Sequence, residues 1–301
     1  MAEYSHHSID IRDFVCYNSI YIIYLDAREC IIMHFMHNNG GMLVKIVVKI
    51  GTSTLTYANG CVNIRRIEAL CRVVSDMINA GNSVILVSSG AIGMGVGKLG
   101  LRERPKDIAG KQAAAAVGQC ELMYVYDKEF AAHNRTVAQI LLTAPDLECE
   151  DRLAKFKNTV DRLLEFGTLP IINENDTVAT EEIEFGDNDT LGALVARAVG
   201  ADLLVLLSDI DGLFSGDPHK DKSAVLIPEV REITDDIVAL AGGAGSELGT
   251  GGMATKIRAA KIATAAGCDM IIANGQYPER LYGIIDGEGV GTRFFAEGRG
   301  V

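Results

Sequence analysis

The 301-residue sequence predicts an α/β fold on a mainly parallel sheet covered by helices on both faces. Three observations predict it. Strand-like and helix-like segments alternate along the chain. Several strand segments, such as LVKIVVKI at 43–50 and DLLVLL at 202–207, are almost wholly apolar, as strands buried on both faces are. Polar clusters follow directly on strand segments, at the carboxyl edge where such sheets bind ligands.

Taken in order, residues 43–50 are a β-branched strand ending at the Gly51 turn. Residues 63–80 place Ile64, Ile67, Leu70, Val73, Val74 and Met77 at helical spacing and stop at Gly81. Residues 83–87 are a second strand, followed by Ser88-Ser89-Gly90-Ala91. An alanine-rich helix is expected over 108–132, a strand over 136–142, and a helix over 151–166 that ends at Gly167. The strand at 169–172 leads into Asn173-Glu174-Asn175-Asp176. A helix over 189–199, a strand over 202–207, a helix over 255–266 and a strand over 270–273 complete the pattern. There is no internal repeat or low-complexity linker.

Composition narrows the function. Acidic side chains outnumber basic ones 40 to 28, a formal net charge of −12, which opposes binding to a phosphate backbone and leaves room for a small anion held by local lysines. The seven cysteines are odd in number and form no C-x-x-C pair, as in a cytoplasmic protein with reduced thiols. Glycine, at 32 residues, exceeds the usual ~7%, which fits many tight turns or phosphate loops.

The first forty residues differ from the rest, holding four of the six histidines (His6, His7, His34, His37). No carboxylate or thiol pattern accompanies these to make a metal site. The apolar stretch 14–36 carries Asp26, Arg28 and Glu29 at its middle, each costing about 2.5–3.5 kcal/mol at bilayer depth. Its charge-free part, 14–25, falls short of the roughly 20 residues a spanning helix needs. No basic n-region precedes it. Neither membrane nor export is expected. Residues 1–41 read as an extension outside the catalytic fold, with Met42 as the functional start.

Several motifs carry candidate chemistry. Lys49-Ile50-Gly51-Thr52-Ser53, at a strand end, offers an ammonium and backbone amides to an anion; the alternative is a snorkelling lysine beside a plain turn. Gly249 through Lys256 enters a helix, and a lysine in that first turn opposes the helix dipole, a local rule broken where function demands it; the alternative is a glycine linker. The clusters Asn173-Glu174-Asn175-Asp176 and Gly186-Asp187-Asn188-Asp189 can hold an ammonium or a metal-bound phosphate, or else form Asx turns with Asp189 as an N-cap. Ser88-Ser89 can offer a hydroxyl and amides to a carboxylate, or simply turn the chain. Gly95-Val-Gly97-Lys-Leu-Gly100 matches G-x-G-x-x-G but does not directly follow its strand, which leaves a mobile loop rather than a dinucleotide fingerprint. P-loop and protein-kinase signatures are absent from the sequence.

In this order, these segments resemble the amino-acid kinase family over about residues 42–297. The match rests on 48–53, 88–92, Lys111-Gln112, 116–119, 172–180, 186–189, Leu207-Ser208-Asp209 with Gly212-Leu213, and 249–256. INENDTVAT and GTGGMATK resemble the branch whose acceptor is the γ-carboxylate of L-glutamate. The resemblance implies an αβα sandwich of the amino-acid kinase type with a mainly parallel central sheet. It implies the reaction ATP + L-glutamate → ADP + L-glutamyl 5-phosphate, the first step of proline synthesis, with ATP and Mg²⁺ as cofactors and the metal ligands left open. Carried over residue by residue, Lys49 and Lys256 flank the transferred phosphoryl group and Asp189 positions them. Ser89, Asp176 and Asn188 bind glutamate, with Asn173 and Asp187 close by. Lys49, Ser208, Asp209, Thr250, Gly251, Gly252, Met253, Ala254, Thr255 and Lys256 hold ATP.

The resemblance divides the kinase domain, 42–301, into a glutamate-binding part (about 42–200) and a nucleotide-binding part (about 201–301). Many members of the family continue into a C-terminal PUA domain, whereas this sequence stops at Val301, just past the kinase fold. Proline as feedback inhibitor is implied by the resemblance alone. A cytoplasmic homo-oligomer without nucleic-acid or membrane partners is expected. The rival readings are another amino-acid kinase, acting on acetylglutamate, carbamate, aspartate or a nucleotide, and a catalytically silent glutamate or proline sensor. Both lysines and the acidic set are intact, which speaks against silence.

Overall fold

The computed structural model describes residues 14–17, 20–26, 29–34, 44–57, 61–178, 188–218, 220–242 and 252–297. The chain divides into two compact units, Met1–Leu43 and Val44–Val301. In the first, β1 (Phe14–Tyr17), β2 (Ile20–Asp26) and β3 (Glu29–His34) form an antiparallel sheet in that order, irregular in register between Tyr24 and Asp26.

The second unit runs β4 (Lys45–Ile50), α1 (Thr52–Leu55), α2 (Ile64–Asn79), β5 (Ser83–Ser88), α3 (Ala91–Lys98), α4 (Ile108–Ala131), β6 (Val137–Leu142), α5 (Ala144–Glu148), α6 (Glu150–Glu165) and β7 (Leu169–Glu174). It continues with α7 (Asn188–Val199), β8 (Leu203–Ser208), β9 (Leu213–Phe214), β10 (Leu226–Ile227), β11 (Glu229–Val230), α8 (Asp235–Leu240), α9 (Met253–Ala265), β12 (Asp269–Asn274), α10 (Arg280–Ile285) and β13 (Thr292–Phe294). Eight strands form one sheet in the order β11-β13-β12-β8-β4-β5-β7-β6. From β12 to β6 every pairing is parallel; β13 runs antiparallel to β12, and β11 follows β13. β9 and β10 make a separate small hairpin.

Strand alternation sends successive side chains to opposite faces. Ile46, Val48 and Ile50 of β4 pack with Ile67, Leu70 and Val74 of α2, Leu122, Tyr126 and Phe130 of α4, and Leu281 of α10. Val47 faces the other layer, where Phe156 and Val160 of α6, Leu191 and Val195 of α7, and Ile257 and Ala260 of α9 lie. The result is an αβα sandwich whose central strands are buried on both sides, which is why they read as apolar runs.

The G-x-G-x-x-G stretch is no loop: Gly95 and Gly97 lie inside α3. That helix presses on α4 so closely that a Cβ on Gly95 would sit 1.8 Å from the Ala114 carbonyl oxygen, and one on Gly118 1.7 Å from that of Ala91. These glycines let two helix backbones meet. No described helix is long and apolar enough to cross a membrane.

Candidate active site

The carboxyl ends of β4, β5, β7, β8 and β12 share one edge of the sheet, and those expected residues that the structure describes lie there. Lys49 is the penultimate residue of β4, the strand between β5 and β8; it pairs in register with Val87 on one side and Leu206 on the other. Its ammonium lies 2.6 Å from Asp189 Oδ1. Lys256, in the first turn of α9, reaches Asp189 Oδ2 at 3.0 Å. Two lysines 207 positions apart in the chain thus meet at one carboxylate. All three are withdrawn from solvent, with exposures of 7% for Lys49, 3% for Lys256 and 0% for Asp189.

Local sequence explains the convergence. Asp189 sits in the first turn of α7, its carboxylate turned inward to the lysines rather than capping the helix. Gly192, one turn on, lies against the Lys49 stem: a Cβ there would stand 3.3 Å from Lys49 Cβ. The missing side chain brings α7 close enough for Asp189 to reach both ammoniums. Thr255 Oγ1 lies 3.1 Å from Asp189 Oδ2 and 2.6 Å from the Gly252 carbonyl oxygen, tying the start of α9 to the same carboxylate. Gly252 supplies no side-chain cap; the Thr255 N–H turns back to the Gly252 carbonyl at 3.2 Å, and the Met253 and Ala254 N–H groups head the helix, an arrangement suited to an anion. Burial pushes the Asp189 carboxyl up, and the two ammoniums more than reverse this, holding it below the usual carboxylate range.

On the β5–β7 side, the Asn188 side-chain amide donates to the Ser88 carbonyl (2.7 Å), Ser89 Oγ (2.9 Å) and Asn173 Oδ1 (3.1 Å). Three of the expected glutamate-binding residues are therefore joined directly. Asp176, on the turn after β7, is half-buried; burial raises its carboxyl above the usual range against the pull of Arg104. On the β8 side, Ser208 ends the strand and donates through Oγ to Asp209 Oδ1 at 3.0 Å. Met253 and Ala254 open α9 beside Thr255 and Lys256. Asp187, Thr250 and Gly251 lie outside the described residues.

Sequence reasoning missed the support behind Asn173. Its amide donates to Gln119 Oε1 at 2.8 Å, and Gln119 Nε2 donates to Gln139 Oε1 at 3.0 Å, so a row of amides fixes which way Asn173 and Asn188 face. A polar glutamine within the alanine-rich stretch was the available signal. Ser88 Oγ, 3.0 Å from Tyr126 OH, was likewise not foreseen.

Comparison with known proteins bears on this geometry. The profile of the amino acid kinase family matches residues 44–274. Glutamate 5-kinase of Clostridium perfringens is 55% identical over 257 residues, covering 84% of this chain and 96% of that protein. Glutamate 5-kinase of Clostridium tetani is 57% identical over 251 residues, covering 83% and 94%. Among solved structures, carbamate kinase from Giardia lamblia bound to AMP-PNP superposes with a TM-score of 0.59 at 18% identity, over 85% of this chain and 99% of that one, a likeness of fold.

Proposed function

The chain belongs to the amino acid kinase family, and from that premise, with its likeness to glutamate 5-kinases, we propose that it transfers the γ-phosphoryl group of ATP to the γ-carboxylate of L-glutamate. The product is L-glutamyl 5-phosphate, and the step is the first of proline synthesis. The observation that carries the reading is the meeting of Lys49 and Lys256 at the buried Asp189, on the edge of the sheet where ligands bind.

The chemistry asks for little else. A γ-carboxylate has an ordinary pKa of about 4.3 and is already ionised at neutral pH, so no general base is required. The obstacle is repulsion between that anion and a triphosphate. Lys49 and Lys256 answer it with positive charge fixed in place before the reaction, where a low dielectric gives it most effect. Asp189 keeps both ammoniums aimed. The N–H groups opening α9 cradle the phosphates from the nucleotide side. Ser89 and Asn188 receive the substrate's α-carboxylate end, and Asp176 its ammonium; arrival of that cation relieves a carboxylate now held in a buried place.

The donor set fits magnesium that enters with ATP: such ions keep phosphate oxygens and waters as ligands and need one or two carboxylates. Among the described residues there is no group of three or more metal-ligating side chains that would form a dedicated cage, and Asp209 is the carboxylate beside the nucleotide segment. When bound, the ion neutralises phosphate charge. Proline inhibition, assembly into a homo-oligomer and a cytoplasmic location belong to the same reading, as does a kinase domain beginning at Met42.

The test is a coupled ADP-release assay across L-glutamate, acetylglutamate, aspartate and carbamate, with hydroxylamine trapping of the acyl phosphate. Glutamate alone should support turnover and yield the hydroxamate. Turnover with another acceptor and none with glutamate would overturn the assignment.

A further inference from the structure

Two segments leave the sheet side by side in its nucleotide half, one after β8 and one after β12, with Asn274 in register with Ser208. They are tied at two levels. The Gly275 N–H donates to the Ser208 carbonyl at 2.7 Å. Farther out, Asp211 Oδ1 accepts from Arg280 Nη1 at 2.6 Å and from Asn274 Nδ2 at 3.3 Å. The Asn274 amide is oriented in turn, because its Oδ1 accepts from the Gln276 N–H at 2.9 Å and leaves Nδ2 to face Asp211. The Arg280 guanidinium lies over the Tyr277 ring, 5.2 Å from its centroid, which limits its swing.

We propose that Arg280 is a positioning residue for the nucleotide: by holding Asp211 it fixes the segment that carries Ser208 and Asp209. The inference rests on the reading of that segment as part of the ATP site. Exposure decides between this role and simple stabilisation. The side chains of Arg280 and Asp211 are 35% and 47% exposed, and pairs so open to water add little to global stability. What the pair can do is order a short segment anchored to the sheet at one end.

The experiment uses the full chain with Arg280→Ala and Arg280→Lys. KM for ATP, KM for glutamate, kcat and Tm are measured, together with ADP binding by calorimetry. Arg280→Ala should raise KM for ATP and Kd for ADP about fivefold, the effect of losing one half-exposed ion pair. KM for glutamate and kcat should stay within about twofold, and Tm should barely move. Arg280→Lys should recover most of the loss, since the contact uses one nitrogen and one oxygen, which an ammonium can supply. Unchanged ATP and ADP affinities in Arg280→Ala would overturn the inference. So would equal rises in both KM values with a falling Tm, the mark of a merely structural role. The unaltered chain is assayed first: absence of ATP turnover there would overturn the kinase reading itself, whereas turnover with silent Arg280 variants would overturn only the positioning role.

Discussion

Replacing Asp189 with Asn removes one charge and almost no volume. In the parent, Oδ1 lies 2.6 Å from the Lys49 ammonium and Oδ2 3.0 Å from that of Lys256. An amide can face only one ammonium with its oxygen; its NH₂ must meet the other, donor against donor. The site is fully buried, so solvent screens neither interaction. Breaking a buried ion pair from one side costs about 3–5 kcal/mol, against a total stability of roughly 5–15 kcal/mol for a typical chain. A folded but weakened Asp189→Asn is the expected product. Displacing catalytic charges by an ångström costs about 100-fold in rate, which sets the expected fall in kcat. Steady-state ADP release, measured well below the variant's melting temperature, separates this fall from unfolding. The pH dependence supplies a second readout with a definite sign. The folded-state pKa of Asp189 lies below the unfolded value of about 3.9, so its stabilisation is full above that value and is lost as pH falls through the folded one. The Tm gap between parent and Asp189→Asn should hold steady near neutrality and close only in acid. A kcat within about twofold of the parent, or a gap that closes as pH rises, would refute the reasoning.

Three other outcomes follow from the same geometry. Lys256→Ala should lower kcat at least about tenfold, since one charge-stabilising donor contributes several kcal/mol to the transition state; wild-type turnover would remove it from the reaction. Asp176→Asn should raise KM for glutamate and also raise Tm near neutral pH. The Asp176 carboxyl is raised in the fold, so its contribution to stability is full below the unfolded value and lost as pH rises through the folded one, and the amide escapes that loss; ATP affinity collapsing while glutamate binding held would show the two halves assigned the wrong way round. Gly192→Ala should lose about 1–3 kcal/mol of stability by thermal denaturation and cut kcat, because its methyl group meets the Lys49 stem at 3.3 Å. A variant as active and as stable as the parent would mean that α7 does not need its close approach.

How much of this was legible in the sequence depended on the range of the interaction that wrote it. The central strands were readable because burial on both faces leaves only apolar residues, as in LLVLLS of β8. Long helices were readable from periodicity and their terminal glycines, α2 before Gly81 and α6 before Gly167. The short pieces, α1, α5, α8, α10, β9–β11 and β13, were not, because helices of four to six residues and strands of two or three fall short of the windows over which a pattern can be read. Gly95 misled for another reason: a glycine needed for close helix packing and one needed for a phosphate look alike until the partner helix is known. In the site, Lys49 and Lys256 stood out because each broke a local expectation, a charge on a buried strand and a cation opening a helix. Gln119 stood out only as a polar residue in an alanine-rich stretch and Gln139 not at all, since their partners lie on other elements and only the fold brings them to Asn173.

The position of β4 gives the arrangement its logic. A transferase for two substrates must hold both apart until their reacting groups meet, and the sheet order provides the place. β4 has β5 on one side and β8 on the other, so Lys49 stands where the half carrying Ser89 adjoins the half carrying Ser208. The second cation does not come from that strand: its other lysine, Lys45, starts β4 at the opposite edge of the sheet, where it meets Asp161 and the Val199 carbonyl. The second cation comes from α9, and Asp189 of α7 joins it to Lys49. The two ammoniums thus belong to different elements, and the carboxylate between them fixes their separation; on the function proposed above, the phosphoryl group passes between them. On that proposal, a single lysine at this sheet edge would favour one substrate's charge over the other's, whereas a pair fixed on a common anion favours the transferring group itself, which is the requirement for raising kcat rather than only tightening binding.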